Sequence, residues 1–145
     1  MNNLIELQNI SKHYITNKKN IILKKINYKF KKGLIYSLVG PSGSGKSTLL
    51  NLISLIDKPS SGNILIDNHL IKYKNNSLND KIRADKIGII YQQNNLLPDF
   101  TALENVYLSR LAIDNNQDVA IADAIKIIKS FGLSSRRDHF PSELS

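Results

Sequence analysis

The sequence has 145 residues and contains no cysteine and no tryptophan. The lack of cysteine excludes a disulfide framework, a thiolate metal site and a thiol nucleophile. No apolar run approaches the roughly 18 residues that a membrane-spanning helix needs, and the N-terminal Met1-Asn2-Asn3 does not begin the basic-then-apolar pattern of a signal peptide. We therefore expect a cytoplasmic chain that forms one domain, or a portion of a larger one.

Acidic residues are scarce as well: 12 Asp and Glu stand against 20 Lys and Arg, which gives a net charge of +8. This charge does not predict a nucleic-acid partner, because only 4 of the basic residues are Arg and the lysines are scattered. Proteins that read bases favour Arg and interleave aromatic residues for stacking. The one basic cluster, residues 24–32, alternates with Ile26, Tyr28 and Phe30, which predicts the solvated face of a half-buried strand.

One glycine-rich segment carries a clear chemical signal. It fits the pattern G-x-x-x-x-G-K-[ST] and consists of Gly40, Pro41, Ser42, Gly43, Ser44, Gly45, Lys46 and Ser47. The apolar run 34–39 before it predicts a buried parallel strand, and residues 48–56 after it predict a helix with apolar residues at 49, 52, 53 and 56. In this order of elements the backbone N–H groups converge on a phosphate at the helix N-terminus.

The segment therefore predicts a nucleoside triphosphate held by residues 40–48, up to Thr48. Lys46 is expected to reach the β- and γ-phosphates, and the Ser47 hydroxyl to ligate Mg²⁺. The structural alternative is a Gly-Ser surface turn before a serine-capped helix.

The rest of the chain predicts an α/β fold. An antiparallel pair of strands should occupy residues 1–33, the phosphate-loop core residues 34–92, and the start of a helical region residues 93–145. The expected strands are residues 4–10, 21–30, 64–66 and 87–91. The expected helices are residues 80–84, 102–111 and 119–131, the last with Asp118 as its N-cap.

With the loop in place, other segments resemble the ATP-binding subunits of ABC transporters. Tyr14 lies where that family places an aromatic residue that stacks on adenine, and Gln92 resembles its Q-loop glutamine. Residues 101–106 are similar to the helix start that follows the Q-loop. The resemblance implies a P-loop NTPase fold of ABC type, with a mixed sheet and an N-terminal antiparallel subdomain. It also implies ATP and Mg²⁺ as ligands. Gln92 would then ligate the metal ion with Ser47 and would take part in catalysis with Lys46.

Alternatives remain for several of these residues. Tyr14 could pack on the first sheet, Gln92 could be a polar residue at a strand end, and Gln93 could take its place. We interpret Glu104 as a first-turn carboxylate rather than a catalytic group. The three histidines share no metal-ligand spacing, so we interpret them as structural or exposed; they are His13, His69 and His139.

Within the family, Tyr91-Gln92 and residues 96–106 are most similar to the ATP-binding subunit of the bacterial lipoprotein-releasing system. This similarity implies integral membrane permease subunits and a second copy of the chain as partners, and a peripheral position on the cytoplasmic face of the inner membrane. The region of residues 92–106, with its exposed Leu96, Leu97 and Phe100, would form the contact surface for the permease. Another ABC exporter ATPase, of the macrolide or cell-division type, and a non-catalytic nucleotide-binding protein are the alternatives.

Some family features are missing. ABC ATPases need an apolar strand ending in Asp-Glu, whereas residues 64–67 are followed by Asn68, so Asp67 is interpreted as a turn residue. Residues 141–145 resemble the lead-in and first two residues of the family's signature motif. We expect the N-terminal portion of a domain, truncated before the signature motif and the Asp-Glu strand. Without the general-base Glu, we expect no ATP turnover by these residues alone.

Overall fold

The computed structural model describes residues 3–15, 19–74, 76–93 and 95–144. They form two compact units, Met1–Arg83 and Ala84–Ser145. The first contains the strands β1 (Asn3–Ile15), β2 (Lys19–Lys31), β3 (Ser61–Ile66) and β4 (His69–Leu70), and helix α1 (Lys46–Ile53). Helix α2 (Asn76–Lys86) spans the boundary, and the second unit holds α3 (Ala102–Asp114) and α4 (Gln117–Ser130), followed by 3-10 turns at Ser134–Arg136 and Pro141–Glu143.

The four strands form one antiparallel sheet in the order β2-β1-β3-β4. Leu7 pairs with Tyr28 on one side and with Ile64 on the other, so apolar side chains from neighbouring strands share a face. This confirms the predicted antiparallel pairing, although both long strands extend beyond the predicted ends. Residues 16–18 of the predicted connecting turn lie outside the described residues.

A β-bulge interrupts β1 between Leu7 and Ile10. Asn9 has a positive φ of 51°, and Asn27 supports it by accepting a hydrogen bond from the Asn9 N–H at 2.8 Å. Gly62 on β3 faces this bulge with φ 92°, and a Cβ there would lie 2.4 Å from the Asn9 carbonyl oxygen. Only glycine fits this close approach without moving a backbone.

The core of the first unit lies between the sheet and α1. Leu7, Ile10, Leu52 and Ile64 are almost fully buried. Leu7 and Leu49 also line an apolar cavity of about 460 Å³, together with residues of β2 and the segment that follows it. Of the apolar positions predicted for this helix, Leu49 and Leu52 are buried, whereas Ile56 lies beyond the end of α1 and is 47% exposed.

Segments 34–39 and 87–91 do not form the buried parallel strands that the sequence predicted. Neither belongs to the sheet found among the described residues. Ile35 and Ile90 are fully exposed, at 101% and 100%. In segment 34–39 the clearest attachment is Tyr36, whose hydroxyl accepts a hydrogen bond from the Lys31 N–H at 2.7 Å. An apolar run becomes a strand only where another strand satisfies its backbone groups, and no such ladder forms here among the residues described.

The second unit is helical, as expected. Helix α4 buries Ala120, Ala124 and Ile128. Ala124 and Ile128 belong to the apolar face that the sequence predicted, but Ile125 of that face remains 38% exposed. Its N-cap is Asn116, which accepts from the Val119 N–H, and not Asp118 as predicted. Asp118 lies within the first turn of the helix, where its charge favours the N-terminal end of the dipole. Among the helices described, none is long and apolar enough to cross a membrane.

Candidate functional site

The glycine-rich loop leads directly into the N-terminus of α1. Gly45 is the N-cap, with φ 92°, and no side chain caps this helix end. The first N–H groups of a helix have no intrahelical acceptor and carry partial positive charge, so they are available to an anion. A Cβ on Gly45 would lie 2.9 Å from the Leu23 side chain, and this packing together with the positive φ explains why glycine is required.

The loop leaves room where a phosphate would approach. Gly43 has φ 78°, and a Cβ added there would meet nothing within 4 Å, so its backbone borders open space. The turn that contains Gly43 is closed by a hydrogen bond from the Ser44 N–H to the Pro41 carbonyl oxygen at 3.3 Å. The backbone of this turn can therefore face an anion without steric obstruction.

Lys46 folds back over the loop. Its ammonium donates to the carbonyl oxygens of Gly40 and Pro41 at 2.9 and 2.7 Å. These carbonyls hold the cation against the loop that leads into α1. Exchanging such neutral acceptors for phosphate oxygens would give stronger, charge-assisted hydrogen bonds.

A cleft of about 330 Å³ brings the loop together with Tyr14 at the end of β1. Its volume lies at the small end of the range for ligand sites. The lining residues are Tyr14, Ile22, Ser42, Gly43, Gly45, Lys46, Ser47 and Thr48. The tertiary structure thus brings Tyr14 together with six of the nine residues that the sequence assigned to the triphosphate; Gly40, Pro41 and Ser44 do not line the cleft.

Tyr14 is not a core residue, because 43% of it remains exposed. Its hydroxyl donates to Asp57 Oδ2 at 3.1 Å, and the Lys12 ammonium lies 4.8 Å from the centre of its ring. Tyr14 therefore contacts Lys12 and Asp57 and still leaves part of its side chain exposed. Adenine stacking stays a prediction.

Lys12 and Asp57 were not singled out from the sequence. Lys12 is buried in β1, and its ammonium donates to Asp57 Oδ1 at 2.7 Å and to the Lys58 carbonyl oxygen at 2.8 Å. Partial burial alone would raise the pKa of Asp57, but hydrogen bonds from Lys12, the Lys58 N–H and Tyr14 outweigh it and hold the pKa below its usual 3.8. The partners are 45 residues apart, so no local pattern could have identified the pair.

Gln92 and Glu104 lie in the second unit. Gln92 is exposed in the loop after residue 91, and its metal role stays a prediction. Glu104 forms a capping box with Thr101: its carboxylate accepts from the Thr101 N–H at 2.7 Å, and the Thr101 hydroxyl accepts from the Glu104 N–H at 3.3 Å. The geometry confirms the interpretation of Glu104 as a first-turn carboxylate. Within the described ranges no cluster of three His, Asp or Glu side chains could hold a metal ion.

Leu96, Leu97 and Phe100 are exposed, as predicted for a contact surface. The turn that carries them is held by Asn105, whose side-chain oxygen accepts from the Leu97 N–H at 2.8 Å. Its amide donates to the carbonyl oxygens of Leu97, Phe100 and Thr101 at 3.1, 2.9 and 3.0 Å. The sequence identified the apolar residues but not this organising asparagine, whose position near the start of α3 was the only available signal.

Residues 23–145 match the family model described as ABC transporter. The chain belongs to the ABC transporter family, which confirms the resemblance and the P-loop fold class.

Two of its relatives are the lipoprotein-releasing system ATP-binding proteins LolD of Rickettsia bellii and Rickettsia prowazekii, at 43% and 45% identity. The alignments cover 99% and 100% of this chain but 63% and 64% of the relatives. The chain thus spans slightly less than two thirds of their length.

The solved structures of MJ0796, a bacterial ABC transporter cassette, are similar as well. Two dimeric structures, one of them in a post-hydrolysis state bound to ADP and Pi, superpose with a TM-score of 0.84 at 38% identity. They cover 97% of this chain, and the chain covers 63% of theirs.

Proposed function

We propose that the protein binds MgATP at residues 40–48, with Tyr14 against the adenine. The observation that carries this proposal is the cleft in which an uncapped helix N-terminus, the Lys46 ammonium and an exposed aromatic ring meet. The N–H groups of Gly43, Gly45, Lys46, Ser47 and Thr48 would hold the triphosphate.

Ser47 fits a magnesium site, because its exposed hydroxyl lines the cleft beside the phosphate-binding backbone. It would hold the ion, which when bound neutralises charge on the phosphates. The metal role proposed for Gln92 rests on the family resemblance alone. Oxygen ligands of this kind suit Mg²⁺, which usually keeps several waters of its own.

The chemistry that these residues serve is phosphoryl transfer to water. Catalysis of this reaction consists mainly of positioning and electrostatic stabilisation of the transferred group. Lys46 supplies a positive charge at the β- and γ-oxygens, and the loop N–H groups fix the phosphate chain. None of the residues proposed for this site is the general-base Glu that would polarise the attacking water.

At the level of the whole protein, we propose the ATP-binding subunit of an ABC transporter that releases lipoproteins from the inner membrane. The names of the relatives support this substrate class, and the dimeric cassette structures support pairing with a second copy. The permease would contact Leu96, Leu97 and Phe100 on the turn held by Asn105. The protein would then lie at the cytoplasmic face of the inner membrane and touch it only through its partners.

Nucleotide titration of wild type and Lys46→Ala tests the binding proposal. The variant loses the charge-assisted contact to the phosphates, worth roughly 1.5–3 kcal/mol of binding free energy. Lys126→Ala is a matched control, since Lys126 is an exposed lysine on α4. Equal ATP affinity of wild type and Lys46→Ala would refute the site.

Cysteine crosslinking in membranes tests the transporter proposal. A cysteine at Phe100 or Asp99 should crosslink to a permease subunit, whereas one at Ser130, at the far end of α4, should not. Identification of the crosslinked permease by mass spectrometry separates a lipoprotein-releasing system from a macrolide or cell-division exporter. The absence of a crosslink at every position from 96 to 100 would count against this contact surface.

A further inference from the structure

Three side chains form a connected network at the edge of the nucleotide cleft. Tyr14 donates its hydroxyl hydrogen to one carboxylate oxygen of Asp57, at 3.1 Å. Lys12 donates to the other oxygen at 2.7 Å, and its ammonium also lies 4.8 Å from the centre of the Tyr14 ring. The ring is therefore restrained twice, at its hydroxyl and over one face.

The restraint comes from an ion pair that is largely withdrawn from water. The Lys12 and Asp57 side chains are 9% and 28% exposed. In the ion pair between Lys29 and Glu6 of the same sheet, the carboxylate side chain is 18% exposed but the lysine side chain is 60% exposed. Exposed pairs contribute little, whereas breaking a buried pair leaves an uncompensated charge and is strongly unfavourable. The Lys12–Asp57 pair is thus a firm support for a tyrosine that is itself 43% exposed.

We propose that Asp57, together with Lys12, is a positioning residue that fixes the Tyr14 ring for stacking on the nucleotide base. The inference rests on the proposed nucleotide-binding function. Stacking needs only the face of a ring, so the base has no use for the tyrosine hydroxyl. The hydroxyl instead fixes the ring before the ligand arrives, which lowers the entropy lost on binding. The network acts on the base and not on the phosphates, because Lys12 and Asp57 contact Tyr14 and Lys58 and not the phosphate loop.

A comparison of two ligands tests this role. Affinities of Mg²⁺-ATP and Mg²⁺-tripolyphosphate are measured by titration calorimetry for wild type, Tyr14→Phe, Asp57→Asn and the double variant. Each single variant should bind ATP about 3- to 10-fold more weakly, the equivalent of one side chain that must be ordered on binding. The double variant should bind ATP with the same affinity as the more weakly binding single variant, because both changes break the same hydrogen bond. Tripolyphosphate affinity should stay the same throughout.

Two matched controls show that the effect is local. Tyr28→Phe removes the hydroxyl of another half-exposed tyrosine, and Glu6→Gln removes the other ion pair of β1; both should leave the ATP affinity at the wild-type value. If Asp57→Asn fails to fold, Tyr14→Phe carries the test, because it leaves the ion pair of Lys12 and Asp57 intact.

The possible results separate this inference from the proposed function. Unchanged ATP affinity in Tyr14→Phe would overturn the positioning role. An equal loss of ATP and tripolyphosphate affinity in Asp57→Asn would overturn it too, because that result would make Asp57 a general structural support. Failure of the wild type to bind either ligand, or equal binding by Lys46→Ala, would instead refute the nucleotide site itself.

Discussion

The antiparallel sheet and the apolar segments 34–39 and 87–91 are built from the same kinds of residue and end in opposite environments. Ile64 in β3 is fully buried, whereas Ile35 and Ile90 are fully exposed. The sheet strands each find a partner that is hydrogen-bonded along the backbone. The two segments have no such partner in the sheet of the described residues.

The difference shows that composition predicts the tendency to form a strand, while pairing decides whether the strand forms. In antiparallel sheets the neighbour is often the next segment along the chain, and here β2 follows β1 closely. A parallel strand needs a partner reached by a crossover, and its backbone groups stay unpaired until that partner is present. Exposed apolar segments of this kind are prone to association with other chains.

Alanine substitutions at Ile64 and Ile35 give the largest expected contrast. Ile64→Ala removes a fully buried side chain and should lower the free energy of unfolding by about 2–5 kcal/mol. Ile35→Ala removes the same side chain from a fully exposed position and should change it by no more than about 0.5 kcal/mol. Both residues belong to the first unit, so urea denaturation compares them directly.

If Ile35→Ala lowered the free energy of unfolding as much as Ile64→Ala, the contrast between the two regions would be wrong. Such a loss would show that segment 34–39 is buried in solution. Such a result would favour self-association through this segment, and a dependence of the cost on protein concentration would reveal it.

Thr101→Ala tests whether the helix beyond segment 87–91 is held by its own local contacts. The change removes one half of the capping box of α3 and should cost about 1 kcal/mol of stability. Circular dichroism during thermal unfolding measures it, with Thr101→Ser as the control that keeps the hydroxyl. An unchanged stability in Thr101→Ala would mean that the start of α3 depends on tertiary packing rather than on its cap.

Acid should destabilise the regions that are stabilised by carboxylate contacts. It should not affect segments 34–39 and 87–91 directly, because they contain no Asp or Glu. Hydrogen bonds from the Thr101 backbone and hydroxyl lower the pKa of Glu104, and those from Lys126 and Arg110 lower the pKa of Asp123. A carboxyl whose pKa is lowered on folding stabilises the protein above its usual pKa, and this contribution is lost as the pH falls through the lowered value.

Stability should therefore begin to fall below about pH 4.5 and continue to fall below 3.8, the usual values for these Glu and Asp groups. The expected effect is the smallest of the three, because both carboxylates are near the surface. Glu104→Gln keeps hydrogen-bonding capacity without charge, so its acid dependence should be shallower than that of wild type. Identical pH profiles would show that Glu104 does not contribute.

The sequence by itself determined the features whose information is local. Residues 40–47 define the phosphate loop because the turn, the lysine and the hydroxyl are contiguous, and the apolar spacing of α1 predicts which face it buries. Glu104 could be assigned to a helix cap because its partner Thr101 lies three residues away. Helix ends were less certain, since Asn116 and Asp118 are both good caps and only the backbone conformation selects Asn116.

Only the tertiary structure decided the contacts between distant segments. The tether of Tyr14 depends on Asp57, which is 43 residues away, and the fit of Gly62 depends on a bulge in another strand. The exposure of segments 34–39 and 87–91 was decided in the same way, because a strand is completed by its neighbour. A contact between distant residues leaves no periodicity in either segment, so it becomes visible only when the chain has folded.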